Sequence, residues 1–141
     1  MVAVVSAPGE IVQAVVVTDE DVVRLRKLVR DEMVALKFSL IEQTKMVTAA
    51  SELARNILRY GGGGRAELSV LERGGKRGIC VSFIDEGPGI ADIDLALTDG
   101  YTSGGGMGLG LSGAKRLADE FELDSAPGKG TRVTITKWKP F

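Results

Sequence analysis

Asp85-Glu86-Gly87-Pro88-Gly89-Ile90 is the stretch around which this chain is organised. It follows an apolar run, residues 79–84, that predicts a buried strand, so a carboxylate stands at the end of a strand. Proline fixes φ near about −65° and glycine permits positive φ, which together predict a sharp turn. Neither Gly87 nor Gly89 carries a side chain that would obstruct a flat ligand lying against the backbone. A single glycine turn of this kind is equally consistent with an ordinary loop.

A second glycine-rich stretch, Gly104 to Leu111, precedes a predicted helix. Consecutive backbone N–H groups and the helix dipole together favour a bound anion such as a phosphate. Residues 108–113 fit G-x-G-x-x-G, but no strand precedes them, which excludes the dinucleotide-binding βαβ unit. The G-x-x-x-x-G-K-[ST] of a P-loop is absent from the sequence. Two glycine turns, one of them opened by an acid, suggest a nucleotide site.

The composition excludes several classes of function. With 141 residues, 44% hydrophobic and 26% charged, the chain fits one ordinary globular domain. A formal net charge of −1 gives no basic surface for nucleic acid or anionic lipid, and no apolar run approaches the ~18 residues of a membrane span. The single cysteine, Cys80, is predicted to be a small core residue and fits a reducing cytoplasmic compartment. Because the chain has no histidine, a Ser-His-Asp triad and a phosphohistidine intermediate are excluded.

Hydrophobic periodicity predicts the order β-α-α-β-β-(α)-α-β-β. The predicted strands cover residues 11–17, 65–72, 77–85, 121–124 and 131–138. The first predicted helix begins after Thr18, and the other predicted helices cover residues 40–60, 92–97 and 109–120. Thr18 and Asp21 resemble a capping box at the start of the first helix. The glycine run from Gly61 to Gly64 ends the second helix, and only its first glycine is needed for that. Residues 73–76 are predicted to form a hairpin turn. Paired strands with helices between them predict a single α+β domain over residues 1–141. It is a two-layer sandwich whose mixed, mainly antiparallel sheet has helices on one face.

The second predicted helix carries an acid and an amide, Glu52 and Asn56, on one face. Four residues separate them, so they lie about 40° apart around the helix axis. They flank an apolar stripe that consists of Met46, Ala50, Leu53, Ile57 and Tyr60. Asn56 can supply a neutral oxygen to Mg²⁺, and Glu52 can orient or accept a proton. Taken alone, such a pair is more often two surface polar residues in local contact, because polar pairs four residues apart are common on helices.

Four short motifs occur in order along the chain. They are Glu-x-x-x-Asn at 52–56, Asp-x-Gly-x-Gly at 85–89, the glycine stretch at 104–111 and Gly-x-Gly-Thr at 128–131. In this order, and over nearly the whole chain, they resemble the GHKL ATPase superfamily with its Bergerat nucleotide-binding fold. The letters of the four motifs look closest to the RsbT-type serine kinases of bacterial stressosomes, which are small relatives of the anti-sigma factor kinases.

The resemblance implies ATP as a cofactor and a base-binding end at the Asp85 turn. Asp85 would accept a hydrogen bond from the adenine amino group, which selects adenine over guanine. Gly87 and Gly89 would let the base approach the backbone, and Thr131 would also lie near the adenine.

The resemblance also implies Mg²⁺ and a phosphate end. Asn56 would ligate the metal, and Glu52 would be the general base on the attacking hydroxyl. The ATP-binding set is completed by Gly104, Gly105, Gly106, Met107, Gly108, Leu109 and Gly110. The basic residue that would contact the γ-phosphate is left open among Arg55, Lys115, Arg116 and Lys129.

The function implied is an ATP-dependent serine/threonine protein kinase of a bacterial partner-switching pathway, acting on STAS-domain antagonist proteins in the cytoplasm. A PP2C-type phosphatase or another downstream regulator would be a further partner. The alternative is an ATP-gated binding module that sequesters or activates a partner without essential kinase activity. Glu52 together with Asn56 favours the enzyme, because a pure binding module needs no base. A detached ATPase domain that hydrolyses ATP for conformational work is a third alternative.

Overall fold

The computed structural model describes residues 9–90, 97 and 110–139. The strands are β1 (Ile11–Val16), β2 (Gly64–Arg73), β3 (Lys76–Asp85), β4 (Glu120–Ser125) and β5 (Thr131–Trp138). The helices are α1 (Asp19–Ala35), α2 (Leu40–Asn56) and α3 (Gly110–Leu117), and a π-helical turn over Ile57–Gly61 continues α2. The described strands form one sheet in the order β1-β2-β3-β5-β4, and each neighbouring pair among them is antiparallel.

The two faces of the sheet differ because side chains alternate along each strand. Leu68, Val81 and Ile135 are cross-strand neighbours and are fully buried under the helices. The helices cover them with a buried set that includes Leu25, Val29, Met33, Met46 and Leu53. The predicted α+β sandwich with helices on one face of the sheet is therefore confirmed. Among the described helices, none has the length and apolar content that crossing a membrane requires.

Asp21 fixes the start of α1. Its backbone N–H donates to the Thr18 hydroxyl at 3.1 Å, and its carboxylate accepts from the N–H groups of Thr18 at 3.1 Å and Val17 at 2.9 Å. Arg24 donates to the other carboxylate oxygen at 2.7 Å. The predicted capping box is therefore present. The hydrogen bonds from Val17 and then Arg24 lower the pKa of Asp21 from 3.8 to about 2.

We expect Asp21→Asn to destabilise the fold at neutral pH, and the difference from the wild type to shrink in acid. Because the folded-state pKa lies below the unfolded one, the carboxylate stabilises the fold above about pH 3.8, and this contribution is lost as the pH falls through about 2. Thermal unfolding of both proteins from neutral pH down to about pH 2 measures the difference in Tm. Asp19→Asn, in the same turn, is the control. A difference in Tm that does not change with pH would contradict the role given to Asp21.

Two predictions about apolar residues were wrong. Cys80 is not in the core: it lies half-buried on the outer face of β3, between Ser69 and Thr136, because Val81 takes the inward position. Tyr60 is 41% exposed and does not continue the apolar stripe of α2. The π-helical turn bonds residue i to i+5, holds more residues per turn, and so rotates Tyr60 away from the core.

The ends of two helical segments also differ from the prediction. The helix expected to reach Glu120 ends at Leu117, and Glu120 begins β4. The glycine that caps the π-helical turn is Gly62, which adopts a left-handed φ of 74°, so the first glycine of the run does not suffice. The helix predicted over residues 92–97 lies outside the described residues apart from Leu97.

Candidate functional site

Four residues form a row across one end of the sheet, which we call the terminal row. Gly64 of β2 pairs with Asp85 of β3, Asp85 pairs with Thr131 of β5, and Thr131 pairs with Ser125 of β4. Directly opposed residues of antiparallel strands carry their Cβ atoms about 4.5–5.5 Å apart on the same face. Asp85 and Thr131, which belong to different motifs far apart in the sequence, are thus neighbours across the sheet. Asp85, Thr131 and Ser125 are all partly exposed, so a ligand can reach the row.

The Asp85 carboxylate is held by its own turn and by the end of the helical segment. The Gly87 N–H donates to Asp85 Oδ1 at 2.9 Å, and this bond does not involve Oδ2. Gly61, the last residue of the π-helical turn, lies against the same carboxylate, and a Cβ on Gly61 would stand 2.7 Å from Asp85 Oδ2. Any larger residue at position 61 would therefore have to displace the Asp85 side chain.

The glycines of the Asp85 turn serve backbone contacts within the protein. Gly89 has a φ of 77° and packs against the Ala126 carbonyl, where no Cβ fits. A Cβ on Gly87 would stand 2.8 Å from Gly61 Cα. Both glycines thus seat the turn against neighbouring segments, a reason that the local sequence does not reveal. The sequence also predicts that the two glycines leave room for a flat base, and this role stays a prediction.

Ser125 links the Asp85 turn to the turn between β4 and β5. Its Oγ accepts from the Ile90 N–H at 2.9 Å, donates to the Gly130 carbonyl at 2.9 Å, and shares a hydrogen bond with Thr131 Oγ1 at 2.9 Å. The Gly128 N–H also donates to the Pro88 carbonyl at 2.7 Å. The motifs at 85–89 and 128–131 therefore form one unit. Sequence reasoning missed Ser125, because only the strand register shows that it lies beside Thr131.

Glu52 and Asn56 lie on the last two turns of α2, and both are half-buried. Arg55 Nη1 donates to Glu52 Oε2 at 3.3 Å, and the Glu52 side chain is 20% exposed. From Asn56 the π-helical turn leads directly to Gly61 at the Asp85 carboxylate. The helix that carries the acid and the amide therefore ends at the terminal row. Carboxylate and amide oxygens are the hard donors that Mg²⁺ prefers, so the pair fits this metal chemically.

The predicted phosphate-binding stretch lies mostly outside the described residues. This applies to Gly104, Gly105, Gly106, Met107, Gly108 and Leu109. Gly110 is described: it is the first residue of α3 and has a φ of 43°, and none of the described residues lies within 4 Å of where its Cβ would be. The phosphate role of the whole stretch stays a prediction.

Comparison with known proteins identifies the class. Residues 41–140 match the family model of histidine kinase-, DNA gyrase B-, and HSP90-like ATPases, and the chain belongs to this family. It is 42% identical over 123 residues to the serine/threonine-protein kinase RsbT of Bacillus subtilis (strain 168), and the aligned segment covers 87% of this chain and 92% of that protein. It is 34% identical over 97 residues to the anti-sigma F factor of Thermoanaerobacter sp. (strain X514), and the aligned segment covers 64% of this chain and 66% of that protein.

A solved structure agrees with the fold. The RsbU and RsbW domains of a Mycobacterium tuberculosis protein superpose with a TM-score of 0.65 at 20% identity, over 95% of this chain and 34% of that longer chain. At this identity the likeness concerns the fold alone. Together with the sequence relatives, it confirms the predicted superfamily and fold, and the 42% identity to a serine/threonine kinase confirms the predicted enzyme class.

Proposed function

We propose that this chain is an ATP-dependent serine/threonine protein kinase of a bacterial partner-switching pathway, and that it phosphorylates STAS-domain antagonist proteins in the cytoplasm. One observation carries the proposal: Asp85 and Thr131 lie side by side at the end of the sheet, reached by the helix that bears Glu52 and Asn56. The 42% identity to RsbT supports the same reading.

The terminal row fits the base of ATP. An ionised carboxylate only accepts hydrogen bonds, so Asp85 favours a 6-amino purine over guanine, which presents a carbonyl at that position. The bond from Gly87 holds the carboxylate in one orientation. Gly61 packs against the same carboxylate and leaves no room for a side chain on that side, which further restricts its orientation.

The end of α2 fits the phosphate and metal end. Asn56 would bind Mg²⁺, which neutralises phosphate charge when bound, and residues 104–110 would hold the phosphates through their backbone N–H groups. Glu52 would take the proton of the acceptor hydroxyl, and Arg55 holds its carboxylate through the 3.3 Å ion pair. Phosphoryl transfer depends mainly on positioning and charge neutralisation, so these few side chains suffice.

Incubation with radiolabelled ATP, Mg²⁺ and STAS-domain proteins from the same genome tests the proposal. Label on a serine or threonine of one partner, dependent on this chain and mapped by mass spectrometry, is the expected result. ATP binding without transfer to any of these proteins would instead favour the binding module.

The binding module remains the second candidate because the chain is also 34% identical to an anti-sigma F factor. In that case a sigma factor, a PP2C-type phosphatase or another regulator would be the partner. Complex formation that requires ATP, and that persists when Glu52 is replaced, would identify this mode.

A further inference from the structure

We infer that Ser125 determines the base specificity of the nucleotide site by fixing the direction of the Thr131 hydroxyl. The inference rests on the proposed ATP site. It concerns a residue that lies outside all four motifs and whose importance follows only from the hydrogen bonds at the terminal row.

The direction follows from counting protons. A serine hydroxyl has one proton to donate and two lone pairs that accept. Ser125 Oγ lies 2.9 Å from each of three polar atoms, namely Ile90 N, Gly130 O and Thr131 Oγ1. The Ile90 N–H can only donate and the Gly130 carbonyl can only accept, so the single proton of Ser125 goes to Gly130. The Thr131 hydroxyl must therefore donate to the remaining lone pair of Ser125.

The backbone around Gly130 keeps this arrangement in place. Gly130 is buried, has a φ of 75°, and packs so closely against Asp85 and Glu86 that a Cβ would stand 3.0 Å from Glu86 Cα. Its carbonyl is thereby held toward Ser125. The Ile90 N–H approaches from the other turn and occupies one lone pair. All three bonding positions of the Ser125 hydroxyl are thus in use.

The consequence concerns the ligand. Because Thr131 gives its only proton to Ser125, it presents nothing but lone pairs to any other group. On its other side, Thr131 is opposite the Asp85 carboxylate, which is also an acceptor. The terminal row therefore presents two acceptors side by side, which suits an exocyclic amino group with two N–H bonds. A 6-oxo purine would place a carbonyl against these acceptors and would be rejected.

The test compares the affinities of ATP and inosine triphosphate, whose base has a 6-carbonyl and an N1–H where adenine has a 6-amino group and an unprotonated N1. In Ser125→Ala the Thr131 hydroxyl is free to rotate and donate to a 6-carbonyl. We expect the preference for ATP over inosine triphosphate to fall by about tenfold, mainly through tighter binding of inosine triphosphate. Both dissociation constants are measured by competition with a fluorescent nucleotide, without any protein substrate. Ser125→Thr keeps the hydroxyl and is expected to keep the wild-type preference.

Ser69→Ala, a half-buried serine on the outer face of β2, is the matched control, and thermal unfolding of each variant without nucleotide monitors the fold. Ser125→Cys, with a weakly bonding thiol, should shift the preference in the same direction if Ser125→Ala does not fold. Adding Thr131→Val should abolish the gain in inosine triphosphate binding. An equal loss of both affinities, or an unchanged preference, would reduce Ser125 to a support of the turn and overturn the inference. A wild-type protein that binds neither nucleotide would overturn the ATP site itself, which is a distinguishable result.

Discussion

Glu52→Gln is expected to lower phosphoryl transfer by at least about 10²-fold while ATP binding stays at the wild-type level. Glutamine has the size of glutamate and keeps an oxygen that can accept a hydrogen bond from Arg55. In the wild type Arg55 donates to Glu52 at 3.3 Å. Glutamine cannot take a proton from the acceptor hydroxyl. The substitution therefore removes the proposed base and preserves the end of α2.

Single-turnover transfer to the protein substrate at saturating ATP measures this effect, and a nucleotide titration measures the affinity. Glu20→Gln, an exposed glutamate in the first turn of α1, is the control and should behave as the wild type. Transfer at the wild-type rate in Glu52→Gln would remove Glu52 from the role of base. Loss of ATP binding would show instead that Glu52 serves the phosphate or metal end.

Local signals account for the parts of the fold that the sequence predicts well. The capping box of Thr18 and Asp21 spans four residues, and the Gly74-Gly75 turn joins strands that are adjacent along the chain. The Glu52 and Asn56 pair follows from the helical period alone. In each case the residues that determine the structure are neighbours in the sequence, so the local sequence pattern is enough to predict it.

Parts of the site depend on contacts between distant residues, and these could not be predicted. Ser125 matters because β4 pairs with β5 in a register that sets it opposite Thr131. Gly61 was expected only to stop a helix, yet it is needed because the Asp85 carboxylate lies against it. The π-helical turn that brings Gly61 there has no sequence period of its own, which is also why Tyr60 was misplaced. Register and close packing are tertiary properties, and single-sequence patterns do not encode them directly.

Asp85→Asn is expected to weaken ATP binding by about 10²-fold, which corresponds to about 3 kcal/mol. In the wild type the Gly87 N–H donates to Asp85 at 2.9 Å. Asparagine keeps an oxygen that can accept this hydrogen bond, so the turn should keep its conformation. The second oxygen becomes an NH₂ donor that would face the adenine amino group, so a favourable charged hydrogen bond is replaced by two opposed donors. Glu86→Gln, the exposed neighbour, removes one charge at the same turn and should leave the affinity unchanged.

Gly61→Ala tests the same carboxylate without changing its chemistry. A methyl group at position 61 would press on Asp85 Oδ2, so ATP affinity should fall here too, although Asp85 itself is intact. Gly62→Ala is the control: among the described residues nothing lies within 4 Å of a Cβ at this position, and its φ of 74° should cost about 1–2 kcal/mol of folding stability without touching Asp85.

The two ends of the site can then be separated by kinetics. If Asp85 only reads the base, Asp85→Asn raises the KM for ATP and largely retains kcat once ATP is saturating, whereas Glu52→Gln lowers kcat at an unchanged ATP affinity. A loss of kcat in Asp85→Asn at saturating ATP would mean that the carboxylate also orders the phosphate end through Gly61 and the end of α2. Unchanged ATP binding in Asp85→Asn would instead place the base away from the terminal row. The specificity role of Ser125 would then fall with it, because that role requires the base to lie between Asp85 and Thr131.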